Sequence, residues 1–287
     1  MNELFDSDFL KMLQNLVITS KIVMNSGAEG NRKSVSKGSS VEFSDYREYT
    51  AGDDFRRVDW NAYGRFDKLF IKLFMEEREA PVTILLDTSK SMDWGEPNKS
   101  IASRRLAAAL TYISLSNYDR VTIACINNKK AQVKHSLRGK NSFAKVLKFL
   151  QDVKYENATD LYNALKNLDM KANRGISILI SDLFTPGMLK DIINHLLFKK
   201  QDIYICHVLA PQEINPEINT SLRLIDSETG EHRDITATAR LLDTYKKVFD
   251  GFISGIEKEC FKSGANYMRI DSAMPFRQVV RMVVGKP

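Results

Sequence analysis

Three short oxygen-bearing side chains occur at alternate positions directly after an apolar run. In "ILLDTSKSMDWG", residues 84–95, they are Asp87, Ser89 and Ser91. At the end of a buried strand, such side chains bind a metal ion, supply a phosphorylatable nucleophile, or form an ordinary turn. The residue types allow all three uses, so the choice depends on what the rest of the chain brings to the same place.

The elements that would position these residues are visible from residue 80 onward, where apolar runs of strand length alternate with helical segments. The runs are "VTILLD", "RVTIACI", "ISILISD", "DIYICHVL" and "ANYMRID". Because they are apolar throughout, they are typical of strands that are covered on both faces. Their alternation with helices predicts right-handed crossovers. We therefore predict an α/β fold with a doubly wound, mostly parallel, Rossmann-like sheet.

Two further segments complete the predicted organisation. Apolar residues at three- and four-residue steps predict an amphipathic helix over residues 4–24, and the Gly- and Ser-rich residues 26–40 predict a mobile loop. The segment "LRLIDSETGEHRDI" interrupts the alternation and predicts a β-hairpin inserted near residues 220–236. We predict an N-terminal extension, residues 1–79, that packs on a main domain, residues 80–287.

The composition limits the classes of partner and the compartment. The formal net charge is +6, which favours an acidic partner surface but is too small to indicate nucleic acid by itself. Cys125, Cys206 and Cys260 are far apart and lack metal or disulfide spacing, so we expect reduced, buried thiols. The acidic N-terminus does not resemble a signal peptide, and no run of 18 apolar residues predicts a membrane span. We therefore expect a cytoplasmic protein.

Polar residues that follow other predicted strands belong to the same edge of the sheet as Asp87. Asp182 ends the run "ISILIS", and Thr159 precedes the helix "LYNAL". Ligands of doubly wound sheets bind beyond the carboxyl ends of the strands. Each residue alone is more typical of a cap or a turn, but together they form a set of hard oxygen ligands. The predicted Mg²⁺ or Mn²⁺ site is Asp87, Ser89, Ser91, Thr159 and Asp182, with a position open to a partner's carboxylate.

This pattern resembles the metal-ion-dependent adhesion site of von Willebrand factor A domains. Asp87, Ser89 and Ser91 match its DxSxS motif, Thr159 matches its isolated threonine, and Asp182 matches its later aspartate. The resemblance implies that the two serines and the threonine or an aspartate bind the metal directly, while the remaining carboxylates act through water. It leaves open which of Asp87 and Asp182 is the direct ligand.

The segment upstream resembles the DUF58 family of bacterial and archaeal proteins. The stretch "YTAGDDFRRVDWNAYGR", followed by a strand, a run of Glu and the DxSxSM motif, is similar to the characteristic region of that family. The resemblance covers nearly the whole chain. It implies a MoxR-type AAA+ ATPase as partner, acting as a chaperone in the assembly or maturation of other proteins. Many relatives carry transmembrane helices before this region, where this chain has a polar helix, so we do not transfer membrane attachment.

Charged and aromatic residues interleave in residues 46–65, and three interpretations remain open for them. Arg and Asp side chains could pair with each other and fix an irregular segment, with Trp60 packed beneath. Arg side chains could bind phosphates while aromatic rings stack on bases, but acids in the same stretch offset the bases, so we expect no nucleic acid. The third interpretation is a candidate partner surface formed by Arg56, Arg57, Asp59 and Trp60.

The sequence lacks the residues that the common hydrolytic mechanisms need. A phosphatase of the haloacid dehalogenase type needs an acid two residues after its nucleophile, where this chain has Ser89. No G-x-S-x-G motif, no phosphate loop and no metal spacing among the histidines His135, His195, His207 and His232 occurs. We therefore predict a non-catalytic, divalent-metal-dependent protein interaction module, an adaptor between a MoxR-type ATPase and a client that supplies an Asp or Glu. A metal-dependent hydrolase and a metal-free scaffold are the alternatives.

Overall fold

The chain folds into two units in the computed structural model, which describes residues 4–15, 41–50, 52–76, 80–127, 131–158, 160–185, 187–216, 221–226, 230–236 and 238–285. The main domain consists of Met1–Glu29 together with Ala80–Pro287, and the extension unit consists of Gly30–Glu79. The N-terminal helix therefore belongs to the main domain. The predicted first domain, residues 1–79, is divided between the two units.

The helices and strands follow one another in the order that the apolar pattern predicts, with several short additions. In chain order they are α1 (residues 7–15), β1 (Val41–Glu48), α2 (Trp60–Phe66), β2 (Phe70–Glu76), β3 (Pro81–Asp87), α3 (Lys99–Ser116), β4 (Arg120–Ile126), β5 (Gln132–Leu137), α4 (Phe143–Asp152), α5 (Leu161–Lys166), β6 (Gly175–Ser181), α6 (Leu189–Phe198), β7 (Gln201–Leu209), α7 (Pro211–Ile214), β8 (Ser221–Ile225), β9 (His232–Thr236), α8 (Ala239–Ser263), β10 (Asn266–Asp271) and α9 (Phe276–Val284).

Six strands form the central sheet of the main domain, in the order β10-β7-β6-β3-β4-β5. All neighbouring pairs are parallel except β4 and the edge strand β5, which are antiparallel. The chain winds outward from β3 in both directions, so the strand order reverses between β3 and β6. The predicted doubly wound, mostly parallel sheet is confirmed, and its reversal point is where such sheets bind ligands.

Helices cover both faces of the sheet, as the continuous apolar strands require. On one face, Leu86 packs in a cluster with residues of α3, α4 and α9, including Val146 and Val280. On the other face, Leu85 packs in a cluster with residues of α5, α6 and α8, including Leu161 and Ile193. Consecutive residues of β3 thus point to opposite, equally buried sides, which is the arrangement of a three-layer α/β domain.

Helix α1 packs against the first of these layers. Phe9 and Leu13 are buried in the same cluster as α3 and α9, and the ring centroids of Phe9 and Phe276 are 5.3 Å apart. The Arg105 Nε donates a hydrogen bond of 2.8 Å to the carbonyl oxygen of Leu4. The predicted helix over residues 4–24 is confirmed to residue 15. Its remainder and the predicted loop at residues 26–40 lie outside the described residues.

The smaller sheets are both two-stranded. In the extension unit, β1 pairs antiparallel with β2. In the main domain, β8 pairs antiparallel with β9, which confirms the hairpin predicted near residues 220–236. The main domain also contains the short helices α7 and α9. Among the described residues, no helix combines the length and the apolar character needed to cross a bilayer.

Candidate functional site

The DxSxS motif lies at the carboxyl end of β3, next to the reversal point of the sheet. Asp87 is the last residue of β3, and Ser89 precedes the 3₁₀ turn Lys90–Met92. The backbone N–H of Ser89 donates to Asp87 Oδ1 at 2.9 Å, which turns the chain back over the strand end. The hydroxyls of Ser89 and Ser91 are hydrogen-bonded to each other, with their Oγ atoms 3.0 Å apart. Asp87 and Ser89 are buried, while Ser91 is partly exposed.

The neighbouring strand β6 brings the second aspartate to the same edge. Ser181 Oγ donates to Asp87 Oδ2 at 2.7 Å and accepts the backbone N–H of Leu183 at 2.9 Å, so it links the two strand ends. Asp182 follows directly and is 1% exposed. Leu183 then has a φ of 59°, a left-handed conformation that strains a residue with a side chain. The structure therefore brings Asp87 and Asp182 together and holds the backbone beyond them in a strained turn.

Thr159, the fourth predicted ligand, lies outside the described residues, but the residues around it are placed beside the motif. The backbone N–H of Glu156 donates to the Thr88 carbonyl at 3.1 Å, and the N–H of Lys90 donates to the Asn157 carbonyl at 2.8 Å. Asp160 caps α5 by accepting the N–H of Asn163 at 3.1 Å. The chain on both sides of residue 159 is therefore fixed, and the N-terminal side is hydrogen-bonded to the DxSxS loop.

Burial and the proximity of a second aspartate raise the pKa of Asp87. Burial raises the pKa of Asp87, the nearby charge of Asp182 acts in the same direction, and the net result is a pKa of about 6. Hydrogen bonds from Ser181 and Ser89 oppose this shift in the pKa. A buried carboxylate beside another carboxylate is a group that a cation would stabilise.

A cation is already present in the form of Lys99, which the sequence analysis missed together with Glu213. Lys99 is the first residue of α3 and is fully buried. Its Nζ donates to Asp182 Oδ2 at 2.9 Å and to Glu213 Oε1 at 2.5 Å. Burial raises the pKa of Glu213, whereas the Lys99 ammonium lowers it. A lysine in the first turn of a helix is opposed by the helix dipole and needs another partner, but the sequence does not show which residues supply it.

The donor set fits a hard divalent cation at its DxSxS end. Adjacent ligands of an octahedral Mg²⁺ with bonds of about 2.1 Å lie about 3.0 Å apart, and the Oγ atoms of Ser89 and Ser91 are separated by 3.0 Å. The Asp87 carboxylate stands beside them and accepts hydrogen bonds from the Ser89 N–H and the Ser181 hydroxyl. Asp182 differs, because its Oδ2 is ion-paired with Lys99. Among the described residues, no group of three or more His, Cys, Asp or Glu side chains could hold a metal, so any site here relies on hydroxyl ligands.

The histidines take no part in this donor set. His207 lies near the carboxyl end of β7, fully buried, and its ring nitrogens contact the Asp182 carbonyl and the Tyr267 hydroxyl, each at 2.8 Å. Burial lowers the pKa of His207 to about 4, so the ring is neutral at physiological pH. His135 and His232 are exposed on β5 and β9, and His195 lies on α6. His207 therefore orients the backbone at Asp182.

The candidate partner surface of the extension unit is only partly a surface. Asp59 is buried, caps α2 by accepting the N–H of Asn61 at 3.0 Å, and accepts the Tyr46 hydroxyl at 2.9 Å. Arg56 is exposed, and the side chain of Arg57 lies outside the described residues. Trp60 is 61% exposed, so the interpretation that it packs beneath the segment is wrong. The physical reason is that Trp60 begins α2, a helix of seven residues none of which is buried.

The expected pairing of Arg with Asp in this segment occurs once among its described contacts. Arg47 Nη2 lies 2.8 Å from Asp53 Oδ1, and Asp53 also accepts the N–H and the hydroxyl of Thr50. These hydrogen bonds lower the pKa of Asp53. The loop that follows β1 is therefore organised by Asp53.

Comparisons with known proteins give a family for the chain and several similar proteins. A family model described as "Protein of unknown function DUF58" matches residues 45–249. An uncharacterized protein of Mycobacterium tuberculosis is 24% identical over 251 residues, which cover 84% of this chain and 78% of that protein. Among solved structures, the conserved hypothetical protein BatB from Bacteroides thetaiotaomicron has a TM-score of 0.45 at 15% identity, covering 71% of this chain and 97% of its own. The VWA domain of SpRpn10 has a TM-score of 0.42 at 12% identity, covering 73% of this chain and 96% of its own.

Proposed function

Because the chain belongs to the DUF58 family and its main domain has a von Willebrand factor A-like fold, we propose that it is a non-catalytic protein interaction module that depends on a divalent metal ion. One observation carries this proposal. The hydroxyls of Ser89 and Ser91 lie 3.0 Å apart beside the Asp87 carboxylate, at the reversal point of a doubly wound sheet. That arrangement combines the ligand spacing of a hard cation with the place where such sheets bind ligands.

In this proposal Asp87, Ser89 and Ser91 hold Mg²⁺ or Mn²⁺, with Thr159 as a further ligand and Asp182 close by. Two serine hydroxyls carry no charge, so a metal at this site keeps an affinity for one more acidic oxygen. The partial exposure of Ser91 leaves the site accessible from that side. An Asp or Glu of another protein is the group that would take the open position.

The proposed partners follow from the family. A MoxR-type AAA+ ATPase is the expected partner, and a client protein supplies the acidic group, so that the chain acts as an adaptor in the assembly or maturation of that client. We place this activity in the cytoplasm and expect no nucleic acid among the partners. Exposed Arg56 and Trp60 on the extension unit are candidates for a second contact, made with either partner.

The geometry around Asp87 favours binding over hydrolysis. Ser89 stands where a phosphatase of the haloacid dehalogenase type needs its general acid. His207 is buried, and both of its ring nitrogens are engaged by Asp182 and Tyr267. Neither residue is placed to move a proton to or from a ligand at the DxSxS motif. A metal-dependent hydrolase is therefore the weaker candidate, and turnover of generic phosphate esters in Mg²⁺ that is lost in Asp87→Ala would establish it.

Calorimetric titration tests the proposal. Mg²⁺ and Mn²⁺ are titrated into chelator-stripped wild type, Asp87→Asn and the control Asp202→Asn, before and after addition of a short acidic peptide. Asp202 is a suitable control because it is exposed at the amino end of β7, at the opposite edge of the sheet. We expect binding in wild type and in Asp202→Asn, strengthened by the peptide, and none in Asp87→Asn.

Two results would contradict the proposal. If no metal binds to the wild type even with the peptide, the DxSxS motif is architectural and the chain is a metal-free scaffold. If metal binds equally to wild type and Asp87→Asn, the metal lies at another place.

A further inference from the structure

Two phenylalanines of the main domain are more exposed than any other large apolar side chain that the structure describes. Phe261 on α8 is 88% exposed, and Phe198, the last residue of α6, is 77% exposed. Leu197, beside Phe198, is also exposed. A single exposed apolar residue is ordinary on a protein surface, whereas a group of them on one surface marks a binding site.

Both rings lie at the same edge of the central sheet. Strand β7 follows α6 and strand β10 follows α8, and these strands are parallel neighbours in which Tyr204 faces Asn266. Leu196 and Cys260, near the ends of the two helices, are buried in the same cluster. The two helices therefore end side by side at the edge where the parallel strands begin, which is opposite the DxSxS motif.

This edge is strongly basic. It is formed by the last turns of α5, α6 and α8 and by their connections to the adjacent strands β6, β7 and β10, which are residues 163–174, 195–200 and 260–265. The whole chain has a formal net charge of +6, and most of that excess lies in these three segments. They contain one acidic residue, Asp169, and six basic residues, Lys166, Lys171, Arg174, Lys199, Lys200 and Lys262.

Contacts between the connections bring these charges close together. The Lys199 Nζ donates to the carbonyl oxygen of Met170 at 3.0 Å, which joins the end of α6 to the connection after α5. Burial lowers the pKa of His195, and the charges of Lys199 and Lys166 act in the same direction. Both ammonium groups are therefore near one ring, and the ends of α5 and α6 share one positive field.

The helix dipole accounts for only part of this charge. A lysine in the last turn of a helix is favoured by the dipole of that helix. Three of the six basic residues, Lys171, Arg174 and Lys200, lie in the connections beyond the helices and are exposed. Their charge is directed at the solvent or at something that replaces it.

We propose that this basic edge docks the main domain on an anionic lipid membrane, with Phe198 and Phe261 inserted among the lipid headgroups. Basic residues near an anionic leaflet each strengthen binding about fivefold, and aromatic rings are favoured at the membrane interface. A protein partner would need a matching pocket for each ring, whereas a lipid interface closes around rings wherever they project. The docking goes beyond the metal-dependent function proposed above and does not involve the metal.

Docking by this edge leaves the opposite edge of the sheet accessible. Strand β6 has seven residues, which span about 23 Å. The DxSxS motif at the carboxyl ends of the strands would therefore face away from the lipid, where another protein can reach it.

Binding to vesicles tests the docking. The full chain, in the presence of a chelator, is sedimented with vesicles of phosphatidylcholine and phosphatidylserine in equal parts, and with vesicles of phosphatidylcholine alone. We expect binding to the mixed vesicles that weakens as salt is added, and binding at least roughly tenfold weaker to phosphatidylcholine alone.

Two pairs of substitutions separate the role of charge from that of ring insertion. Lys200→Gln with Lys262→Gln removes two positive charges and should weaken binding to the mixed vesicles roughly 25-fold. Phe198→Ser with Phe261→Ser removes both rings and should weaken it at least roughly tenfold. All four side chains are exposed, so the variants should keep the fold, which circular dichroism checks.

Matched controls lie on the same two helices, away from this edge. Lys190→Gln with Lys246→Gln removes the same charge from exposed positions in the amino-terminal parts of α6 and α8. Val248→Ser removes an apolar side chain of α8 that is 68% exposed. We expect both controls to bind the mixed vesicles within about twofold of wild type, because screening confines the attraction to charges near the lipid.

Each outcome decides the proposal. Binding that falls in both pairs and not in the controls supports it. Equal binding to the two kinds of vesicle, or an equal loss in the controls, contradicts it. A loss in the lysine pair with no effect of the phenylalanine pair means adsorption without insertion, and it overturns the proposal. Absence of wild-type binding to the mixed vesicles also overturns it and leaves an acidic protein as the occupant. None of these results bears on the metal titration.

Discussion

Replacement of Asp87 by Asn is expected to stabilise the metal-free protein while abolishing metal binding. Burial and the neighbouring Asp182 raise the pKa of Asp87 from 3.8 to about 6, and Asp87 is 1% exposed. Because the native state binds the proton more tightly than the unfolded state, ionisation of Asp87 lowers the free energy of unfolding as the pH rises from about 4 to about 6. Above that range the full cost is present.

The pKa shift gives the size of the effect. A pKa raised from 3.8 to about 6 corresponds to roughly 3 kcal/mol at pH 8, and to roughly half of that at pH 5, where much of the native Asp87 is protonated. An Asn side chain has nearly the same shape, can still accept the Ser89 N–H, and can donate to Ser181 Oγ, which also accepts from Leu183. Its amide is neutral at every pH, so the ionisation cost disappears.

Urea unfolding in the presence of a chelator, followed by tryptophan fluorescence, measures the difference. The chain has two tryptophans, and the exposed Trp60 belongs to the extension unit. In a Trp60→Phe background only Trp94, beside Lys99, reports on the site. We expect Asp87→Asn to be the more stable protein at pH 8, with a smaller advantage at pH 5, and excess Mg²⁺ to stabilise only the protein that keeps Asp87. A variant that is less stable than its parent at pH 8, or a difference independent of pH, would refute the reasoning.

Three other predictions concern the groups around the site and the packing of α1. Burial lowers the pKa of His207 from 6.5 to about 4, so the stability advantage of wild type over His207→Gln should fall by about 3 kcal/mol as the pH decreases from 7 to 4. Ionisation of Asp87 changes the unfolding free energy with pH in the opposite direction, but it does so in both proteins and therefore cancels in that comparison. A stability difference between the two proteins that does not change with pH would contradict the pKa assigned to His207. Metal-free Lys99→Met should lose about 3–5 kcal/mol of unfolding free energy, and the added Glu213→Gln should restore part of it; no recovery would mean that Glu213 is not the uncompensated charge. Leu13→Ala, at a fully buried position of α1, should cost about 2–5 kcal/mol in urea unfolding, whereas Leu10→Ala, at a position 36% exposed, should change it by about 0.5 kcal/mol or less. Equal effects at the two positions would show that α1 is not packed as described.

The sheet and the DxSxS edge were predictable because local composition encodes them. Runs that are apolar throughout, such as the one that ends at Asp87, have few alternatives to a strand covered on both faces. The alternation with helices then fixes which ends of the strands meet. Asp87, Ser89 and Asp182 came together for this reason alone.

The ammonium at the site was not predictable in the same way. Lys99 is 83 residues from Asp182 and 114 from Glu213, and no spacing rule relates the three. The segment "NKSIASRR" reads as an ordinary polar helix start. The prediction that Trp60 is buried was wrong for a related reason. The burial of an aromatic residue depends on what packs against its helix, and α2 has no buried residue. Long-range contacts of single polar residues are set by tertiary packing, which a local pattern does not contain.

The contact between α1 and α9 has a consequence for how the chain acquires its structure during synthesis. Phe9 emerges from the ribosome 267 residues before Phe276, the ring it packs against. At about 5–20 residues per second, that interval is roughly 15–50 s. During this interval the apolar face of α1 is not covered by α9. The extension unit is translated within the same interval. The nascent main domain is therefore a candidate for chaperone capture at α1, and the packing around Phe9 is completed only after α9 has been synthesised.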